Sequence, residues 1–269
     1  VNQPLAYVHS DSKLDDTVVV EPFVTIHKDV EIGKGSWIGS NVTIFPGTRI
    51  GDNCKVYPGA VIGATPQDLK YKGEQTLTII GNNTIVRECV TVHKGTEYAN
   101  KTQVGENCML MAYSHVAHDC ILGNNVIIAN NVQLAGHINI GDFAILEGMA
   151  AVQQFVKIGE HSFISGGSLV RKDVPPFVKA AREPLSYVGV NSIGMRRRGF
   201  TQKQIHHIQD VYRIIFVRGY PVNKALNLVE AEIRASDERD KILDFIRKSV
   251  RGVMKGFQHR TKSNGNSAH

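Results

Sequence analysis

Residues 113–137, YSHVAHDCILGNNVIIANNVQLAGH, set Val116, Leu122, Ile128 and Leu134 six residues apart, with His115, His118, Asp119 and His137 between these beats. The aliphatic beat extends in both directions. Of the 28 positions reached in steps of six from Val8 to Val170, 25 are Val, Ile or Leu, a regularity that an α-helical period of 3.6 cannot keep. Glycine often follows the beat, as in IGKG, IGDN, IGNN, VGEN and LGNN. The fourth residue after it is small or apolar, as at Val24, Ser36, Val42, Cys54, Ala60, Cys108, Cys120 and Val126. Paired inward side chains in each hexapeptide, with glycine and asparagine at the bends, describe a short strand and a turn repeated many times.

This is the hexapeptide pattern of a parallel β-helix, in which each coil buries its aliphatic side chains against its neighbours. It resembles the left-handed β-helix acyltransferase superfamily, whose coils take three hexapeptides each. The expected architecture is mainly β: a left-handed parallel β-helix over 1–174, a connector and C-terminal α-helical domain over 175–257, and a disordered tail over 258–269. The beat fails at Asp68, Glu74 and Tyr98, within two polar stretches, 64–78 (ATPQDLKYKGEQTLT) and 95–103 (GTEYANKTQ), that read as loops leaving the coil. Solenoid insertions tend to gather on one face, often the binding face. A spacing of eighteen aligns Ile62, Ile80, Tyr98, Val116, Leu134 and Val152 in one column, so loops and histidines are expected to share an edge, with a cleft between them.

After Asp173 the pattern changes. The Val174-Pro175-Pro176 run is expected to close the solenoid, since proline cannot donate to a strand ladder. Thr201 and Gln204 form a capping box for a helix to about Arg218 with Ile205, Ile208, Tyr212 and Ile215 on its apolar face, and residues 222–235 and 238–256 read as two more helices.

Composition narrows the class. Forty-two per cent hydrophobic and 21% charged residues suit a soluble globular chain, and no run approaches the ~18 apolar residues of a membrane span. Residues 1–12, VNQPLAYVHSDS, lack the basic and apolar blocks of a secretory signal, so a cytoplasmic protein without integral membrane association is expected. Cys54, Cys89, Cys108 and Cys120 show no CxxC pairing and read as small buried residues. Residues 1–175 hold 13 Lys/Arg against 17 Asp/Glu, and 176–269 hold 18 against 8. The basic part suits an acidic partner: nucleic acid, an anionic membrane surface or an acidic protein.

His118, two after a beat, should point out of the coil, with Asp119 adjacent, His115 three residues away and His137 on the next coil. A carboxylate beside an imidazole orients it and raises its basicity, as a general base acting on a hydroxyl requires. Several histidines outside a solenoid also fit zinc, and His93, His115, His118 and His137 could supply the three ligands of a γ-class carbonic anhydrase site.

A further resemblance rests on QDLKYKGE at 67–74, RECVTVHKGT at 87–96, HVAHDC at 115–120, GNNVIIANNVQLAGH at 123–137, GMAAVQQF at 148–155, DVPPFV at 173–178 and GVNSIGMRRRGF at 189–200. With these motifs in this order, the chain resembles the UDP-N-acetylglucosamine O-acyltransferases, which begin lipid A synthesis. The resemblance implies transfer of an (R)-3-hydroxyacyl group from acyl carrier protein to the 3-hydroxyl of UDP-N-acetylglucosamine, in a homotrimer with active sites between subunits. It makes His118 the base, Asp119 its orienting partner and the Gly136 backbone the oxyanion donor, the kind of donor whose loss costs about 2.7–4 kcal/mol elsewhere. It assigns substrate binding to Gln67, Asp68, Lys70, His115, His137, Gln154, Asn191, Arg197 and Arg198. Gly166 becomes the residue that leaves the acyl groove open to a chain of about 14 carbons or more.

The resemblance implies no metal and no bound cofactor, the acyl donor arriving on the phosphopantetheine of acyl carrier protein. That acidic carrier then accounts for the basic region, and no nucleic-acid motif competes for it. Three departures stand out: Gln153 where the family commonly has His, Ile193 where a Glu is common, and a connector histidine replaced near Pro184. Two rivals remain open, a related acyltransferase with another acceptor, such as the N-acyltransferase of the next lipid A acylation, and the zinc carbonic anhydrase.

Overall fold

The computed structural model describes residues 3–256, so the tail at 258–269, expected to be disordered, lies outside the described residues. Short strands fall in turn on three sheets. The first runs from Tyr7–Val8 to Leu169–Val170, the second from Lys13–Leu14 to Lys157–Ile158, and the third from Val19–Val20 through Phe163–Ile164 and beyond. All pairings between coils are parallel, and the register holds except for one shift between Ile62 and Ala64 where the first loop leaves, which is the expected β-helix of hexapeptide repeats. Beat residues stack inside it: Val92, Val116 and Leu134 pair in succession and are fully buried. Burying one such side chain stabilises by about 1.5–3 kcal/mol, and repetition on every coil makes the core continuous.

Each coil turns at three corners, and the corners explain the polar letters of the repeat. Asn41, Asn53, Asn83, Asn107, Asn125 and Asn131 hold positive φ of 54–59°, a conformation asparagine tolerates better than most side chains. The Asp or Asn after a beat glycine has a different task. Its carboxyl or amide oxygen accepts a backbone N–H from the neighbouring coil, at 2.8 Å for Asp52 N to Asn82, Glu106 N to Asn124, and Asn124 N to Asp142. Cys54, Cys108 and Cys120 are buried, and their thiols donate to the carbonyls of Gly81, Gly123 and Ala135 at 3.1–3.2 Å. Burial pushes Cys108 up to about 11 and Cys120 up to about 12, so neither offers a thiolate at neutral pH. Cys89 departs from the expectation of four buried cysteines: it is exposed at a corner, with φ 56°.

The expected column needs correction at two members. Ile62 pairs with Val92, and Val92 with Val116, so Ile80 and Tyr98 do not belong to it. Ile80 stands on the second sheet between Ile50 and Val104. The first loop adds twelve residues to a coil of eighteen and the second adds six. Each insertion preserves the six-residue beat while shifting the sheet on which it falls. Together they amount to one whole coil, which restores the column at Val116. Both loops leave the corner between the first and second sheets, the corner that also carries His118, so the shared edge stands.

Beyond Pro175-Pro176 the third sheet continues rather than ending. Val178–Ala181 pairs parallel with Phe163–Ile164, Ser186–Val190 returns antiparallel, and Lys255–Gly256 adds at the edge. The segment read as irregular holds helix α1, Ser192–Arg197. Helix α2, Gln202–Tyr212, carries the full Thr201–Gln204 capping box and runs on as a π-helical turn, Arg213–Val217. Ile205, Ile208, Tyr212 and Ile215 are all buried. Helices α3, Val222–Glu232, and α4, Asp237–Arg247, follow. The last is shorter than the expected 238–256, because Ser249 donates its hydroxyl to Asp173 at 2.6 Å and Gly252 takes φ 72°, turning the chain back onto the sheet. Among the described residues no helix is long and apolar enough to cross a membrane.

At the corner between the second and third sheets, rings replace asparagine. Phe143, His161 and Phe177 all hold positive φ and stack in a column, with centroids 4.8 and 5.6 Å apart, and Phe200 closes against it edge-on. His161 Nδ1 is buried without a hydrogen-bond partner among the described residues, and burial lowers its pKa to about 4. The unfolded chain therefore binds the proton more readily between pH 6.5 and about 4. His161→Phe keeps the stack and removes that proton, so the variant should lose less stability on acidification, by on the order of 1–3 kcal/mol near pH 4, in urea titrations across that range.

Candidate active site

The corner between the first and second sheets is built by HVAHDC and LAGH. His115 opens a strand, His118 and Asp119 form the turn, and Gly136 and His137 form the same turn one coil later. Asp119 and His137 sit at positive φ of 60° and 63°, and their side chains come together there, Asp119 Oδ2 lying 3.6 Å from His137 Nδ1. His118, expected outside the coil, is there but is only 4% exposed, because the second loop covers it. His118 Nδ1 lies 2.8 Å from Asp119 Oδ2.

Asp119 is held on all sides. Thr96 donates its hydroxyl to Oδ2 at 2.6 Å and its N–H to Oδ1 at 2.9 Å, and Ala99 N–H reaches Oδ1 at 3.2 Å. Its own N–H donates to Thr102 Oγ1 at 2.9 Å. Burial alone would raise the carboxyl, but the bonds from Thr96, His118 and Ala99 outweigh it and hold the pKa below the usual aspartate range. The group is an anion fixed in one orientation, which aligns the His118 ring.

Gly136 faces that ring. A Cβ at this position would lie 2.5 Å from His118 Cε1 and 2.7 Å from Nε2, so any side chain would displace the imidazole. Its N–H donates no hydrogen bond among the described residues. The turn therefore offers a backbone donor beside an imidazole nitrogen.

The other histidines line the same edge. His137 stacks on Phe155 with centroids 4.3 Å apart, meets Tyr98 edge-on at 4.5 Å and stands perpendicular to His118 at 4.9 Å. Its Nδ1 has no hydrogen-bond partner among the described residues and lies 3.6 Å from Asp119 Oδ2. His115 shares a 2.7 Å bond with Thr91 Oγ1 and meets His93 edge-on. Burial, with the neighbouring imidazoles, lowers His93 to about 4, and burial and His118 lower His115 as well. Both rings are neutral at physiological pH. Asp68 and Lys70 are close enough to act electrostatically on His137, while Gln67 is exposed on their loop and Gln154 is exposed at the equivalent turn one coil after His137.

Four expected residues are not brought to this edge within one chain. Asn191 is buried at the far end of the corner between the second and third sheets, where its amide donates to the His161 carbonyl and its oxygen accepts Gly194 N–H, capping α1. Arg198 lies over the Phe143 ring at 5.0 Å, and Arg197 is exposed. Gly166 stands at the third corner, where a Cβ would meet the Gly148 carbonyl at 3.1 Å. Among the described residues the grouping with metal-donor atoms within 4.8 Å is His118, Asp119 and His137, a set of two nitrogens and one oxygen that leaves out His93 and His115. Thr91, Thr96, Tyr98, Ala99 and Thr102 are contributors to which the sequence assigned no role, although Thr91 and Thr96 lie within RECVTVHKGT and the other three within the second loop.

The comparisons agree across the chain. Residues 173–254 match the family described as UDP N-acetylglucosamine O-acyltransferase, domain 2, residues 101–136 match bacterial transferase hexapeptide repeats, and residues 2–106 match a GMPPB C-terminal domain. A protein of Stutzerimonas stutzeri named acyl-[acyl-carrier-protein]-UDP-N-acetylglucosamine O-acyltransferase is 40% identical over 256 residues, covering 90% of this chain and 99% of its own. The solved UDP-N-acetylglucosamine acyltransferase from Bacteroides fragilis is 45% identical, with TM-score 0.93 over 95% of this chain and all of the other. Its counterpart from Arabidopsis is 32% identical, with TM-score 0.83 over 95% and 100%.

Thr96 holds the carboxylate that aligns His118. Thr96→Val should therefore lower kcat by about tenfold with little change in KM, and Thr96→Ser should restore most of it. Steady-state kinetics of the two variants check this; equal loss in both would assign Thr96 to packing alone.

Proposed function

The chain belongs to the UDP-N-acetylglucosamine O-acyltransferases, and from that membership we propose that it moves an (R)-3-hydroxyacyl chain from acyl carrier protein to the 3-hydroxyl of UDP-N-acetylglucosamine at the start of lipid A synthesis. The observation that carries the mechanism is the 2.8 Å contact between His118 Nδ1 and an Asp119 whose oxygens already accept from Thr96 and Ala99. With Nδ1–H donated to the carboxylate, the lone pair sits on Nε2. That nitrogen takes the proton of the 3-hydroxyl as the sugar oxygen attacks the thioester carbonyl. Gly136 N–H stabilises the oxyanion, and collapse expels the pantetheine thiolate, which recovers the proton from His118. Asp119 stays ionised and stabilises the imidazolium in between.

The acceptor is positioned by Gln67, Asp68, Lys70, His115, His137 and Gln154 along the corner, with Asn191, Arg197 and Arg198 reaching the nucleotide from a neighbouring subunit. The placement of those last three on a different corner supports a homotrimer with sites between chains. Asn191, capping α1, acts there mainly by fixing the helix that carries the two arginines. Arginine suits the phosphates because it is always charged and offers several donors. The basic C-terminal part steers the acidic carrier, no metal or bound cofactor enters the reaction, and the enzyme works in the cytoplasm.

His118→Ala should lose about 10²–10⁴-fold in turnover while still binding UDP-N-acetylglucosamine. Near-normal turnover in an acyl-transfer assay would remove His118 from the mechanism. Gly166 sets chain length by its lack of a side chain. Gly166→Met should lower kcat/KM for an acyl chain of about 14 carbons by about tenfold or more and spare one of about 10 carbons, measured with a panel of carrier-protein thioesters.

A further inference from the structure

Beside the His118–Asp119 pair, at the corner between the first and second sheets, stands a third donor atom, the buried Nδ1 of His137, that the proton transfer does not use. Asp119 Oδ2 lies 2.8 Å from His118 Nδ1 and 3.6 Å from His137 Nδ1, and one donor atom from each residue falls within 4.8 Å of the others. Zinc takes nitrogen and carboxylate oxygen ligands at about 2.0–2.2 Å in a tetrahedron, whose edges are then about 3.3–3.5 Å. The two measured edges to Asp119 bracket that length, and the donor atoms of His118 and His137 lie within 4.8 Å of each other. The His137 ring is free to turn toward the ion as far as hydrogen bonding goes, because its Nδ1 is buried with no partner among the described residues.

We propose that His118, Asp119 and His137 form an inhibitory site for zinc, or for a divalent transition cation of similar ligand preference, and that the bound ion arrests acyl transfer by fixing the wrong tautomer of His118. The ion enters where the proton of the His118–Asp119 hydrogen bond sits. Neutral imidazole bound through Nδ1 carries its proton on Nε2, so the Nδ1–H bond breaks, an Nε2–H bond forms through solvent, and no proton is lost overall. Nε2 then donates and can no longer accept the sugar hydroxyl proton. Hard cations such as magnesium, which bind oxygen in octahedral geometry, should not compete. The site itself stands on the geometry of the three side chains. Its effect on turnover rests on the reading of His118 as base.

Calorimetric titration of the metal-free full chain with zinc sulfate, in a buffer that does not chelate, should show one saturable site per chain. His137→Phe, which keeps the stack on Phe155, and separately Asp119→Asn, should each weaken it by about tenfold or more. In acyl-transfer assays kcat should fall in step with occupancy, EDTA should restore it, and magnesium at the same concentration should leave it unchanged. Absence of a saturable site, or one equally tight in both variants, overturns the inference while leaving His118 as base untouched. Zinc held by these residues with turnover unaffected overturns the arrest, and with it the assignment of His118.

Discussion

Everything in this molecule depends on one register. A residue and its counterpart one coil later must lie directly over each other, so that Ala117 N–H meets the Leu134 carbonyl and Val116 rests on Leu134. A single-residue slip would turn the aliphatic side chains outward and expose the corner carboxylates and amides that close the backbone bonds. The repeat tolerates insertions only outside the coil, which is why the two polar loops leave at a corner, where the flanking strands Val61–Ala64, Leu77–Ile80 and Lys101–Val104 run on to four residues. Function sits where the scaffold can absorb such departures.

The fold was legible because beat, glycine and asparagine each answer to a separate demand of the coil: an inward aliphatic residue, a close approach between coils, and a corner at positive φ. The column through Ile62 was only partly legible. Insertions of twelve and six residues leave the aliphatic beat in phase, so Ile80 looked like a neighbour of Ile62 when it stands on another sheet. At the far end, the sequence carried the Thr201 capping box plainly but hid the return strand at Lys255–Gly256, because it is decided by distant partners, Asp173 and the strand at Ser186–Val190.

The site was legible in its side chains and not in its backbone. HVAHDC and LAGH announced an imidazole, a carboxylate and a glycine. The groups that fix that carboxylate include two N–H donors, from Thr96 and Ala99, which leave no trace in residue type. The family motifs grouped Asn191, Arg197, Arg198 and Gly166 with His118, whereas a single chain sets them on other corners. Linear motifs group residues along the chain; they do not say on which corner of the coil each one falls.

Gly136 shows how tightly scaffold and chemistry are joined. A corner glycine in a hexapeptide repeat needs no functional reason, and its neighbours His118 and Gln154 show that a side chain is tolerated at equivalent turns. At Gly136 the forbidding object is the His118 ring itself, which occupies the space a Cβ would fill. The imidazole can lie flat against the next coil only because that coil lacks a side chain there, and this contact, with Asp119 on its other edge, removes the ring's freedom to turn. Gly136 is itself buried, and its N–H, beside the ring, donates no hydrogen bond among the described residues. One missing methyl thus leaves room for the ring and for a backbone donor beside it, so an alanine at this position would displace the imidazole from both Asp119 and that donor.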